Sequence, residues 1–260
     1  MTARSGVSAG AHAAASSAGH SPTGTVGPRG SPARFSPRDY AVDPVTLAQR
    51  LLGCVLVHRL VDGTLLSGRI VETEAYLGVR DRCSHSFGGR RTPRVEPMYG
   101  PPGTAYVYFT YGMHNCMNVV CGREGEPVAV LLRALEPIEG IEFMRQRRVT
   151  HATRNGQRRA RLGKPPRDEH LCRGPASLCR AMGIELAHSG VLMTGAASPL
   201  WVERGELTRA ERRSIENTAR IGLGHDAPRW VKRRLRWFVS ASRSVTRTAG
   251  GEISSRRSTR

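Results

Sequence analysis

The hairpin written into residues 54–74 constrains the fold more than any other feature of the chain. Two runs, C-V-L-V-H-R-L (54–60) and T-L-L-S-G-R-I-V-E-T-E (64–74), flank Asp62-Gly63. Asp-Gly tolerates the positive φ angles that a tight hairpin turn needs, so this spacing predicts an antiparallel pair. The second strand runs on into Glu72-Thr73-Glu74-Ala75-Tyr76-Leu77-Gly78, and a polar loop follows through Gly88–Arg94. The pattern then repeats: T-A-Y-V-Y-F-T-Y (104–111), Gly112, N-C-M-N-V-V-C, a turn over Gly122–Pro127, and V-A-V-L-L-R-A-L, ending near Arg133. Turns this short exclude the crossovers that parallel pairing requires.

Helix punctuation appears between these strands. Asp43-Pro44 before V-T-L-A-Q-R-L-L and Gly53 supplies a cap, a first-turn proline and a stop. Pro137 is expected to open a helix through about Arg147, and a second helix is expected over Pro175–Met182. Short strands are expected near 200–203 and 235–240. The expected class is α+β: a single domain with a mixed, curved antiparallel β-sheet and surrounding helices.

The ends read differently. Residues 1–36 are mostly Ala, Gly, Ser and Pro, with Phe35 their one aromatic, and read as a disordered arm. Residues 241–260, rich in Ser, Thr and Arg, read as a flexible basic tail, leaving 37–240 as the folded domain. The arm lacks the apolar run of an export signal, so the protein is expected in the cytoplasm with the chromosome or nucleoid, not secreted. No stretch approaches the roughly 18–20 apolar residues of a membrane span. The six cysteines include no C-x-x-C pair and are expected to be reduced and structural. His114 with Cys116, or His170 with Cys172, belongs to no four-ligand pattern, so neither a metal nor a cofactor is expected.

Charge narrows the function. The chain carries a formal +19, which suits a polyanionic partner. Residues 37–144 sum to −1 and residues 145–180 to +9, so a neutral part that could hold a small pocket adjoins a basic part that could grip phosphates. Lys164 and Lys232 are the only lysines, which limits any mechanism needing a lysine nucleophile.

Two residue groups could carry chemistry. Glu72 and Glu74, two apart on a strand, point the same way. They are either a solvated edge or carboxylates placed to activate water or balance a developing cation. Five of the six tyrosines lie between Tyr76 and Tyr111. Singly such residues are core, but clustered beside paired carboxylates they could stack a nucleobase.

Six ordered blocks then become specific: R-I-V-E-T-E-A-Y-L-G (69–78), S-H-S-x-G-G-R-x-T-P-R (84–94), P-G-T-A-Y-V-Y-x-x-Y-G-M (102–113), C-M-N (116–118), L-L-R-A-L-E-P-x-E-G (131–140) and L-C-R-G-P-x-x-L-C-x-A (171–181). With R-I-G-x-G (220–224) and Trp230, they resemble the methylpurine-DNA glycosylase family of the alkyladenine type over nearly all of 38–240. The resemblance implies an enzyme of base-excision repair, and because both lysines lie outside the matched blocks it is expected to be monofunctional. It would act as a monomer on double-stranded DNA containing damaged purines, flipping the lesion out and hydrolysing its N-glycosidic bond. On this resemblance Glu74 is the base that activates water, with Arg133 and the backbone carbonyl of Ile221 holding that water. Tyr76, His85 and Tyr108 would sandwich the flipped base, and Asn118 would disfavour normal guanine. Tyr111 and Met113 would enter the duplex, and Arg90, Thr92, Arg94 and Arg173 would contact the DNA backbone.

The chemistry is consistent with that assignment. N3- and N7-alkylated purines carry positive charge, and aromatic faces attract a cation by about 0.5–2 kcal/mol per contact. The expected substrates are of the 3-methyladenine and 7-methylguanine type, with hypoxanthine and ethenoadenine as further candidates. Ser177 stands where a lysine is common in the family, which leaves Arg173 or Arg180 to supply that phosphate contact. The Arg-rich insert at about 151–167 is read as a DNA-contacting or a solvated loop. The competing class is a non-catalytic basic nucleic-acid-binding protein whose tyrosines only stack.

Overall fold

A computed structural model describes residues 33–154, 166–224 and 227–246, with 150–154 described in backbone only. The Asp62-Gly63 hairpin forms: β1 (Val55–Arg59) pairs antiparallel with β2 (Leu65–Tyr76), Arg59 lying opposite Leu65. Gly63 takes a φ of 86°, and the Asp62 carboxylate accepts the Thr64 amide at 2.9 Å.

β2 has 12 residues and outruns β1. Its far half, Glu72–Glu74, pairs instead with β8 (Arg236–Val239), while its other side pairs with β5 (Val128–Glu139) along almost its whole length. β5 adjoins β4 (His114–Cys121), which forms the second hairpin with β3 (Ala105–Thr110). β6 (Leu200–Glu203) extends β1 at one edge, and β7 (Ile215–Thr218) pairs with β8. Every pairing is antiparallel and the eight-stranded sheet curls, in the order β3-β4-β5-β2-β1-β6 with β8 and β7 branching from β2.

The helices, among the described residues, are α1 (Pro37–Tyr40), α2 (Pro44–Arg50), α3 (Ile141–Arg154), α4 (Asp168–Leu171), α5 (Pro175–Met182), α6 (Arg209–Arg213) and α7 (Pro228–Val231). Asp43 caps α2 as expected, accepting the Val45 and Thr46 amides at 3.0 Å each. The expected helix start at Pro137 is corrected. β5 continues through Pro137 to Glu139, with Pro137 opposite Gly68 beside a register shift, a position where an irregular ladder tolerates a missing N–H. Gly140, at φ 71°, turns the chain, and α3 begins at Ile141.

Strand alternation divides the sheet into two faces. Ala105, Val107, Val119, Val130 and Leu132 face the main core, where α2 and α5 pack and α3 lies behind α5. Tyr106, Val120 and Ala129 face the other way and form a smaller cluster with Val95 and Met98, which follow the polar loop. Packing continues past both expected boundaries: Phe35 is buried against Tyr40 with ring centroids 5.2 Å apart, and Ser244 and Val245 are buried near β2 and β8. The rest of the arm and tail, and residues 155–165 of the insert, lie outside the described residues.

Candidate active site

Glu72 and Glu74 are fully buried, so the solvated-edge reading falls. A charge in such a place must be paired and hydrogen-bonded. Arg133, opposite them on β5, serves both: its Nε donates to Glu72 at 2.9 Å and its Nη1 lies 3.1 Å from Glu74 Oε1. Glu74 Oε1 also accepts the Ile221 amide at 2.8 Å, and its Oε2 accepts the Tyr76 hydroxyl at 3.0 Å. The group of Ile221 bonded to the carboxylate is thus its N–H. Burial opposes the charge on Glu72, yet Arg133 and Arg236 outweigh it and hold the carboxyl below its ordinary range. Burial likewise opposes the charge on Arg133, and Glu74 and Glu72 reverse that, holding it more firmly protonated.

Above this floor opens a cleft of about 500 Å³ on the side of the sheet that carries Tyr106. Its lining brings together Tyr76, His85, Arg90, Tyr108, Tyr111, Asn118, Arg133 and Ile221 of the sequence-derived set. His85 and Tyr108 touch edge to face, centroids 4.6 Å apart at 85°, so they form one wall rather than two sides of a slot. Tyr76 stands on β2, with β4 and β5 between it and the strand of Tyr108. Burial, with Arg94 and Arg90 nearby, lowers the His85 imidazole to about 4, so it is neutral at pH 7. Burial, with Glu74 adjacent, raises the Tyr76 phenol well above its ordinary value. Asn118, nearly buried, lies on β4 and donates to the Tyr106 carbonyl at 3.3 Å.

The tip of the β3–β4 hairpin overhangs the mouth. Tyr111 is 79% exposed and holds a φ of 50°, a left-handed conformation that costs an L-residue about 1–2 kcal/mol. Met113, 50% exposed, lines a separate smaller cavity with His114, Asn115 and Arg180. Arg94 leans over Tyr108 at 5.6 Å and donates to the Phe109 carbonyl at 3.0 Å. Thr92 is exposed outside the cleft lining, and Arg173 commits its Nε to the Val245 carbonyl at 2.8 Å. At position 177 the neighbouring arginine is Arg148, whose Nη1 donates to the Ser177 hydroxyl at 2.8 Å; Arg180 turns to His114 instead.

Several residues of the site had no specific role in the sequence reading. Tyr106, one of the clustered tyrosines, is hydrogen-bonded to His85 at 2.7 Å. Arg220 grips Asp81 through two bonds of 2.6 and 2.9 Å, donates to the Ala75 carbonyl, and places its guanidinium 4.6 Å from the Tyr76 ring centre. Arg236 donates to Glu72 at 2.6 Å. Its signal was visible: a charged residue inside the apolar run L-R-W-F-V, which a buried strand holds only with a partner.

No group of three or more His, Cys, Asp or Glu side chains among the described residues could hold a metal ion, and all six cysteines are free. No helix among the described residues is long and apolar enough to cross a membrane.

The sequence profile of the family described as Methylpurine-DNA glycosylase (MPG) matches residues 38–243. The chain belongs to that family. Curated relatives include the DNA-3-methyladenine glycosylases of Mus musculus, 45% identical over 209 residues, and Homo sapiens, 43% identical over 215 residues. The match takes in 80% of this chain and 60% of the mouse protein, and 83% of this chain and 68% of the human one. The chain therefore spans roughly three-fifths to two-thirds of the length of these family members. The family match covers β1 through β8, so the floor and the cleft both fall inside it.

Proposed function

We propose that this chain is a monofunctional DNA glycosylase of base-excision repair, which hydrolyses the N-glycosidic bond of alkylated purines with a water activated by Glu74. The observation that carries this reading is the buried Glu74 carboxylate, held by Arg133, Tyr76 and the Ile221 amide beneath an aromatic cleft. The family match and the relatives' names support it. A carboxylate offers about four acceptor positions, and three donors occupy Glu74, which leaves one for a water.

On this reading the base leaves the duplex, paying a few kcal/mol of unstacking, and enters between Tyr76 and the His85–Tyr108 wall. A neutral His85 matters there, because an imidazolium would repel a cationic alkylpurine. The C1′–N bond breaks with its electron pair moving to the purine, so a base alkylated at N3 or N7 departs neutral. Water adds at C1′ and its proton passes to Glu74. The anionic floor also favours the oxocarbenium-like transition state. Hydrolysis without strand cleavage is proposed because both lysines, Lys164 and Lys232, fall outside the matched sequence blocks. Arg90 and Arg94 at the rim, with Tyr111 at the hairpin tip, are assigned to the duplex. The protein would work as a monomer at the chromosome, through the body running from Phe35 to Thr246, with no cofactor.

The test is base release from duplexes carrying 3-methyladenine, 7-methylguanine, hypoxanthine or ethenoadenine, with wild type beside Glu74→Gln. Wild-type release that the substitution abolishes, with binding to abasic-site DNA intact, is expected. Binding without release by either protein would favour the non-catalytic binder.

A further inference from the structure

Glu72 is the floor carboxylate that the proposed reaction does not use. Like Glu74, it is fully buried and outside the cleft lining, and it accepts three donors: Arg133 Nε at 2.9 Å, Arg236 Nε at 2.6 Å and the Thr246 amide at 2.8 Å. Arg133 therefore spans two carboxylates, with its Nε edge on Glu72 and its Nη1 on Glu74. A guanidinium is a rigid planar fork, so fixing one edge fixes where the other points. The β2–β5 register shifts on both sides of Glu72, an irregularity of the kind that re-aims a side chain.

The segment after β8 closes this set from outside. The Thr246 carbonyl accepts Arg236 Nη2 at 2.8 Å, and the Val245 carbonyl accepts Arg173 Nε at 2.8 Å. Ser244 and Val245 are buried, although the segment belongs to no helix or strand. Its backbone is thus bound by side chains of the floor and its surroundings, not by a sheet ladder.

We propose that Glu72 is a positioning residue for the Arg133–Glu74 pair, and that residues 244–246 are a strap that holds Glu72 in place. Its kinetic consequence rests on the glycosylase reading; its structural consequence does not. Glu72 acts through Arg133, so loosening it slows the step that Glu74 drives and leaves the DNA-contacting rim as it is.

Two variants test this. Thr246→Pro deletes the amide that Glu72 accepts, and Glu72→Gln removes the charge at nearly constant shape; if the second does not fold, the first carries the test. The readouts are the Nε–H signals of arginine side chains by NMR, the single-turnover rate of base release from an alkylated duplex, and affinity for abasic-site DNA. In Thr246→Pro the Arg133 Nε–H signal is expected to move and to exchange with water at least about 10-fold faster, and the single-turnover rate to fall about 10-fold, the scale set by small misplacements of catalytic groups. Affinity is expected to stay within about two-fold on the same reasoning. A folded Thr246→Pro with a wild-type rate and an unmoved Arg133 signal would overturn the proposal, as would a rate loss matched by an equal loss of affinity. A Thr246→Pro chain that does not fold would make the segment a structural element and also count against a strap. If wild type releases no base, the glycosylase reading fails, and the Arg133 signal alone decides: moved supports the strap, unmoved refutes it.

Discussion

The floor of β2 and β5 and the tip of the β3–β4 hairpin lie at the two ends of one cleft and are built on opposite terms. At the floor, Glu72, Glu74 and Arg133 are at most 5% exposed, and each carboxylate oxygen accepts at least one donor. At the tip, Tyr111 is 79% exposed, keeps an unfavourable φ, and leads into Gly112, around which a side chain would meet nothing. On the proposed reading the floor does the chemistry, which demands fixed geometry, and the tip meets a deformable duplex, which tolerates an exposed side chain. The molecule places each on the element suited to it.

Breaking the floor should cost most in rate. Glu74→Gln is expected to slow single-turnover base release about 10³-fold, within the range of a general base, with binding to abasic-site DNA kept. A variant within a few-fold of wild type would remove Glu74 from the reaction. Next in size is the Arg220–Asp81 pair behind Tyr76, both side chains wholly buried. Arg220→Ala strands a buried carboxylate and should cost about 3 kcal/mol, a fall in Tm of about 6–12 °C for a body of this size. A Tm within 2 °C, on the same scale, would show that the pair is not structural.

The tip should behave in reverse. Tyr111→Gly removes the strained φ, so stability should hold or rise by up to about 1 kcal/mol, while affinity for lesion-bearing duplex should fall about 10-fold through lost stacking. A loss of stability without loss of affinity would invert the comparison. The wall between them carries an effect that appears only on acidification. Folded His85 takes a proton only near pH 4, whereas the unfolded chain takes one near 6.5. The unfolded state therefore binds more protons in that window, and stability should decline as pH falls from about 6.5 towards 4. His58, also lowered, mainly by burial, adds in the same direction. His85→Gln should make the denaturation midpoint less steep against pH across this range, and an unchanged slope would contradict the shift.

Local signals made the hairpins and the α2 cap legible, because a turn dipeptide or a capping aspartate acts on its own neighbours. Pro137 misled for the same reason: its local meaning is a helix start, and only the register shift opposite Gly68 lets a strand keep it. β7 is four half-buried residues, I-E-N-T, with no pattern of its own; it exists because β8 pairs with it. In the site, the motif blocks named most of the cleft lining. Arg220 and Arg236 were missed because their partners, Asp81 and Glu72, lie 139 and 164 residues away in sequence.

Those separations carry a consequence for how the molecule comes into being. β2 is made early in synthesis, but Arg236 and the Ile221 amide emerge some 150 residues later. At about 5–20 residues per second, the ribosome needs roughly 8–30 s to deliver them. Until then the two acidic side chains have, of the donors described, only the Tyr76 hydroxyl and Arg133, in a chain that cannot yet bury them. The floor is the earliest part of the cleft to be translated and among the last to be completed, so a truncated or still-growing chain could carry the aromatic hairpin without a finished floor beneath it.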